Sequence, residues 1–149
     1  LNHQRAVLGI NRGARVGQIE DGSSNTIMVT EYLRGFVGDT RAWFRTNRSG
    51  AKFLQVRNTP NSAAEDSLHF AGCSGGARQY HAPELNLPCK TELTIMNHAA
   101  ARSSHPGGVI ALGADGNVQF YAEDIDLTAW RALGWMNDGT NQGDSMVIP

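Results

Sequence analysis

What the chain lacks narrows it first. No run of roughly 18 apolar residues occurs, so no segment is long enough to span a bilayer as a helix. No signal-peptide pattern stands at Leu1. An excess of positive charge is missing too: Lys+Arg 13 stand against Asp+Glu 14. The clustered basic surplus of a nucleic-acid-binding surface is therefore absent. Charge of either sign is sparse at 18%, low for a cytosolic enzyme and ordinary for a turn-rich extracellular domain. Motifs that carry chemistry are missing as well: no G-x-S-x-G elbow, no P-loop, no H-E-x-x-H and no EF-hand loop.

What remains describes one domain over residues 1–149, rich in turns: 17 glycines point to β structure. The clearest local signal is Ser103 to Gly134. Val109–Ala114 and Asn117–Ala122 are apolar runs separated by Asp115-Gly116, a strong hairpin signal of the type I′ kind. Such a turn opposes Gly113 to Val118, Ala111 to Phe120 and Val109 to Ala122 on one side. Leu112/Gln119 and Ile110/Tyr121 take the other. A helix follows. Asp126 is its N-cap, Ile125 and Trp130 are spaced as a hydrophobic staple, and Leu127, Trp130 and Leu133 form the apolar stripe. Gly134 stands where a left-handed residue would stop it. His105-Pro106-Gly107-Gly108 is the turn that feeds the hairpin. The simplest role for His105 is to bond its own neighbouring backbone there.

His105, nine residues, then Asp115-Gly116 resembles the H-x9-D-G signature of a bacterial domain family with prepilin-type N-termini. The D-I-D-L-T-A-W-R-A-L-G stretch is similar to that family's C-terminal helix. Upstream, Ile19–Glu31 reads I-E-D-G-S-S-N-T-I-M-V-T-E and resembles its other hallmark, a D-G-T-S-N-T-I segment ending in Glu. Asp21, Gly22, Asn25, Thr26 and Glu31 carry that second match. The resemblance covers Ile19–Leu33 and Ser103 to about Gly139. It implies a pseudopilin-like protein of the envelope or the extracellular space, a structural part of a filament or of a type II secretion or type IV pilus-like apparatus. Its partners would be further copies or other pilin-like subunits, and it implies no reaction. On this reading the fold is α+β and mostly antiparallel, a pilin-like globular domain without the N-terminal apolar helix, hence a fragment of a longer chain.

In an exported domain the even pair Cys73 and Cys89 favours a disulfide, worth ~3 kcal/mol in the chain-entropy picture. The alternatives are free thiols, or a metal site with His69, His81 or His98, though no C-x-x-C knuckle is present. Pseudopilins of secretion systems often hold Ca²⁺ in a C-terminal loop, which makes Asp115, Asp124 and Asp126 the candidates here. Against this, Asp115 serves a turn, Asp126 a helix cap, and Glu123 and Asp124 a helix N-terminus where negative charge is favourable.

Elsewhere the pattern predicts strands within Ala6–Ile10, at Ile27–Leu33, Lys52–Arg57, Leu68–Phe70 and Thr91–Met96, with loops at Asn58–Ser67 and Pro83–Pro88. On Ile27–Leu33, residues Ile27, Val29 and Leu33 share one side. Glu31 interrupts that side, which predicts a pairing with a buried donor or a strand edge. Met146-Val147-Ile148 could add a last strand, and His3 reads as solvent-exposed. Trp43-Phe44, between Arg41 and Arg45, reads as core packing with its flanking charges in solvent. The alternative is a glycan- or peptide-binding module using Trp43, Phe44 and Trp135. An enzyme would need His105 in a polar cleft with an acid or thiol. Cys73, His105 and Asp115 are the only set to imagine as nucleophile, base and orienter, and no catalytic residue is assigned.

Overall fold

The computed structural model describes residues 6–9, 12–44, 50–53, 55–69, 73, 79–92 and 97–137. The fold is α+β and dominated by antiparallel pairing. A small ribbon joins β1 (Leu8–Gly9) to β2 (Arg12–Gly13). The central sheet has the order β3-β6-β7, with β3 at Ile27–Thr30, β6 at Gly108–Gly113 and β7 at Val118–Ala122. Both of its pairings are antiparallel. Among the described residues one pair is parallel, β4 (Asp66–Leu68) with β5 (Cys89–Thr91). A single α-helix among the described residues, α1 (Leu127–Leu133), follows the β6–β7 hairpin.

The hairpin is where the sequence placed it, but its register differs by one residue. Leu112 opposes Val118, Ile110 opposes Phe120 and Val109 opposes Tyr121. The loop holds three residues rather than two. Gly113 N–H donates to Asn117 O at 2.8 Å, and Gly116 N–H donates to Gly113 O at 3.1 Å. Gly116 has φ +87° while Asp115 stays out of the left-handed region. That is a type I turn closed by a left-handed glycine, not type I′. The slip turns Tyr121 toward the core with Val109 and Ala111 and sends Val118 and Phe120 to the outer face.

A similar shift corrects β3. Ile27 pairs with Gly113 and Val29 with Leu112, so the strand carries a bulge at Met28. The extra residue separates Ile27, which is buried, from Val29, which is exposed. The two were expected on one side.

Helix α1 closes the inner face of this sheet. Asp126 Oδ1 accepts from Ala129 N–H at 2.9 Å, the expected cap. Trp130 is fully buried among Ile27, Ala101, Val109 and Ala111, with Ile125, Leu127 and Leu133 around it. Its ring meets Tyr121 at 5.6 Å between centroids, and its Nε1–H donates to Asn58 O at 2.9 Å. Gly134 is not left-handed (φ −82°). A Cβ there would lie 2.4 Å from Val56 Cγ2, so glycine is needed for close packing rather than for a turn.

The other half of the molecule is short on regular structure and is held by cross-links. Cys73 and Cys89 form the disulfide, and Leu68 and Ala99 pack on it. Among the described residues two ion pairs are completely buried, Asp39 with Arg41 and Asp66 with Arg102. Arg41 was expected in solvent. Instead its Nε–H and backbone N–H donate to Asp39, and its Nη1–H reaches Leu87 O at 2.9 Å. Asp66 and Ser67, expected in a loop, are strand residues, because Asp66 is the acceptor around which this half is built. Lys52–Arg57 is no strand over its described residues; Gln55 ties this segment to Ala99 through backbone and side chain instead. Among the described residues of the strands predicted at Leu68–Phe70 and Thr91–Met96, Leu68 and Thr91 are in strands and His69 and Glu92 are not. Ile10, Phe70 and 93–96 lie outside the described residues, as do His3, Arg45 and Met146–Ile148.

Candidate functional site

The two sequence motifs, far apart in the chain, lie side by side. Asp21–Glu31 and His105–Gly116 form one antiparallel ribbon through the β3–β6 pairing. Side chains fasten both of its ends.

At one end, the Asp21–Thr26 turn binds itself and the hairpin tip. Asn25 Nδ2–H donates to Asp21 O at 3.1 Å and Thr26 Oγ1–H to Gly22 O at 3.0 Å. Ala114 N–H then donates to Thr26 O at 2.8 Å. Asp115 accepts from Asn117 N–H at 2.9 Å and also from the Ser24 hydroxyl. These bonds favour its charged form, the Asn117 amide first and Ser24 second, and hold its carboxyl below the usual range.

At the other end stands Glu31. Its backbone N–H donates to Ile110 O at 3.2 Å, as a ladder residue should. Its carbonyl, however, accepts from Arg102 N–H, so the ladder would leave Ile110 N–H without a partner. The Glu31 carboxylate fills that place: Oε2 accepts from Ile110 N–H at 2.7 Å. Oε1 accepts from His105 Nε2–H at 3.2 Å. A carboxylate can only accept here, which fixes the proton on Nε2. The strand-edge and donor roles expected of Glu31 are both present, and the donor is main chain. His105 therefore reaches across to Glu31 rather than to its own backbone. Its N–H donates to Ser103 Oγ at 3.0 Å, and Ser103 Oγ–H donates to Gly108 O at 2.6 Å. Pro106-Gly107 makes the turn, and Gly107 O accepts from Glu123 N–H.

This end borders a cleft of ≈ 640 Å³ whose walls include Arg34, Phe36, Leu85, Asn86, His105 and Glu123. His105 meets an acid there, Glu31. Glu31 is half engaged by main chain, Ser103 is engaged in the turn, and Cys73 is in the disulfide. Asp115 lies at the opposite end of β6. Cys73, His105 and Asp115 are thus not brought together.

The calcium candidates do not converge either. Asp115 is at the hairpin tip, whereas Asp124 and Asp126 follow β7 at its far end, ~17 Å away for a strand of this length. Among the described residues no three His, Cys, Asp or Glu side chains are grouped to hold a metal ion. We expect Asp115→Asn to leave the melting temperature almost unchanged, with or without Ca²⁺, since an amide oxygen still accepts from Asn117. Gly116→Val should cost on the order of 1–3 kcal/mol by forcing a β-branched residue to positive φ. Thermal melts of both variants in calcium and in chelator check this.

The aromatic candidates divide. Phe44 is 85% exposed, so core packing does not describe it. It lines, with Trp135, Met28 and Val56, a largely apolar groove of ≈ 800 Å³ beside β3. Trp43 is not on that wall.

What the sequence did not reveal is the polar network behind His105. Asn61 and Asn86 both take left-handed φ, +53° and +56°. Asn86 Nδ2–H donates to Asn61 Oδ1 at 2.7 Å, and Asn61 Nδ2–H donates to Gly108 O. The N-T-P-N and E-L-N-L contexts, asparagine in turn-forming surroundings, were the available signal.

The bacterial family described as "Protein of unknown function (DUF1559)" matches residues 1–128, and the chain belongs to it. No curated protein matches, and no solved structure does. No helix among the described residues is long and apolar enough to cross a membrane.

Proposed function

We propose that this chain is a structural and assembly domain: a pseudopilin-like subunit of an envelope or extracellular filament, or of a type II secretion or type IV pilus-like apparatus. The observation that carries the reading is the ribbon. The motif residues that resemble the prepilin-type H-x9-D-G family spend their polar groups on one another and on main chain, as an architectural part does. Glu31 serves Ile110 and His105, Asp115 serves Asn117 and Ser24, and Ser103 serves Gly108. The disulfide adds support, since such bonds persist in oxidising compartments. The reading assigns no catalytic residue and no cofactor. To test it, the natural full-length protein is followed in its own cell by fractionation and by shearing of surface filaments. It should partition with the envelope or the sheared fraction. A monomer confined to the cytoplasm contradicts the reading.

One observation favours a second reading, an extracellular glycan- or peptide-binding module: Phe44 and Trp135 both line the groove beside β3. Saturable quenching of tryptophan fluorescence by an oligosaccharide or peptide, abolished by Phe44→Ala, would select it over the first.

A further inference from the structure

The central sheet has two edges, and they are treated differently. The β3 edge carries a bulge at Met28, which discourages further pairing. The β7 edge has no such device. Val118–Ala122 pairs with β6 without a bulge and contains neither proline nor any charged residue. Gly113 N–H bonds to Asn117 O, and Ile110 bonds to Glu31 on β3. The alternation of an antiparallel ladder then points the main chain of Gln119 and Tyr121 at β6 and that of Val118 and Phe120 outward. Those two residues also expose their side chains, 61% and 54%. With Val29, 47% exposed and paired to Leu112, they make the outer face of the sheet apolar.

We propose that β7 is a self-pairing edge. Two copies of this chain join β7 to β7 antiparallel about a two-fold axis at Phe120, fusing their three-stranded sheets into one. The occupant is a second copy because the strand is complementary to itself under that axis. Phe120 meets Phe120 of the second copy, Val118 meets Ala122, and Gln119 meets Tyr121. One step beyond the strand, Asn117 meets Glu123, so the two-fold brings no like charges face to face within this span. The outward groups of Phe120 exchange both main-chain bonds across the axis, and those of Val118 bond to Ala122. This names the surface for self-association within the assembly role proposed above and rests on that role for its biological setting. Its test does not depend on where the protein resides in the cell.

The experiment is sedimentation of the purified chain with its disulfide intact, at micromolar concentration. The parent should run near twice its 16.1 kDa mass. Phe120→Lys and Phe120→Glu each place like charges on the axis and should each run as folded monomers. Mixed in equal amounts, the two should regain the dimer. A monomeric parent overturns the proposal, and so does a variant that stays dimeric alone. A mixture that stays monomeric while both variants keep the parent's melting transition overturns it as well. If either variant fails to fold, Val118→Lys and its pairing with Ala122→Glu in the same chain replaces it, with loss and recovery of the dimer expected.

Discussion

Arg102→Met should cost ~3–5 kcal/mol of folding stability, read as a fall in the urea midpoint without a change in slope. Arg102 and Asp66 have no exposed side-chain surface, and the guanidinium satisfies five acceptors at once. Its Nε–H and Nη2–H donate to the two Asp66 oxygens, each at 2.9 Å. The remaining donors reach Ser62 O, Ala64 O and Asn86 Oδ1. Removing it strands a buried carboxylate and three acceptors that water cannot easily reach. Asp66 keeps the Tyr32 hydroxyl at 2.7 Å and Ala100 N–H at 3.0 Å, which cannot replace a full charge. The double variant Arg102→Met with Asp66→Asn removes the stranded charge and should recover part of the loss. A single variant within about 1 kcal/mol of the parent would show that the pair does not organise this half. Tyr32 is tied to the same centre. Burial first, and the Asp66 carboxylate second, raise its hydroxyl well above the ordinary tyrosine value. Its contribution is therefore present below about pH 10 and is lost as pH rises through the folded value.

Trp130→Ala should be of similar size, ~3–5 kcal/mol, for a different reason. The ring is fully buried at the junction of α1 and the central sheet, so its loss opens a cavity under Val109 and Tyr121. It also frees Asn58 O. Trp130→Phe refills most of the volume and gives up the hydrogen bond, so it should cost about 1 kcal/mol. If alanine and phenylalanine are equally harmful, the hydrogen bond and not the packing holds the helix.

These two sites differ in how far the sequence discloses them. Trp130 is announced by its spacing from Leu127 and Leu133 and by the Asp126 cap, because helix signals are local. Arg102 and Arg41 carry no such announcement. Charged side chains are ordinarily solvated, and the partner of Arg102 lies 36 positions away. The hairpin illustrates the boundary between the two cases. Asp115-Gly116 marks the turn correctly, yet two-residue and three-residue loops share that dipeptide, and one residue of slip decides which side chains face out. At Glu31 the interruption of the apolar side was visible in the sequence. That its carboxylate stands in for a strand carbonyl required the path of the chain toward Arg102. Of the short strands β4 and β5 the pattern caught only Leu68 and Thr91, because they are fixed by Asp66 and the disulfide rather than by alternation.

The two motifs form one structural ribbon fastened by Glu31. Native-state hydrogen exchange at the Ile110 amide, in the parent and in Glu31→Ala, tests it most directly. The amide donates to the Glu31 carboxylate at 2.7 Å. Its removal should speed exchange at Ile110 selectively and lower global stability by about 1–3 kcal/mol. Ile110 exchange and stability that are both unchanged in Glu31→Ala would show that Glu31 does not fasten the ribbon.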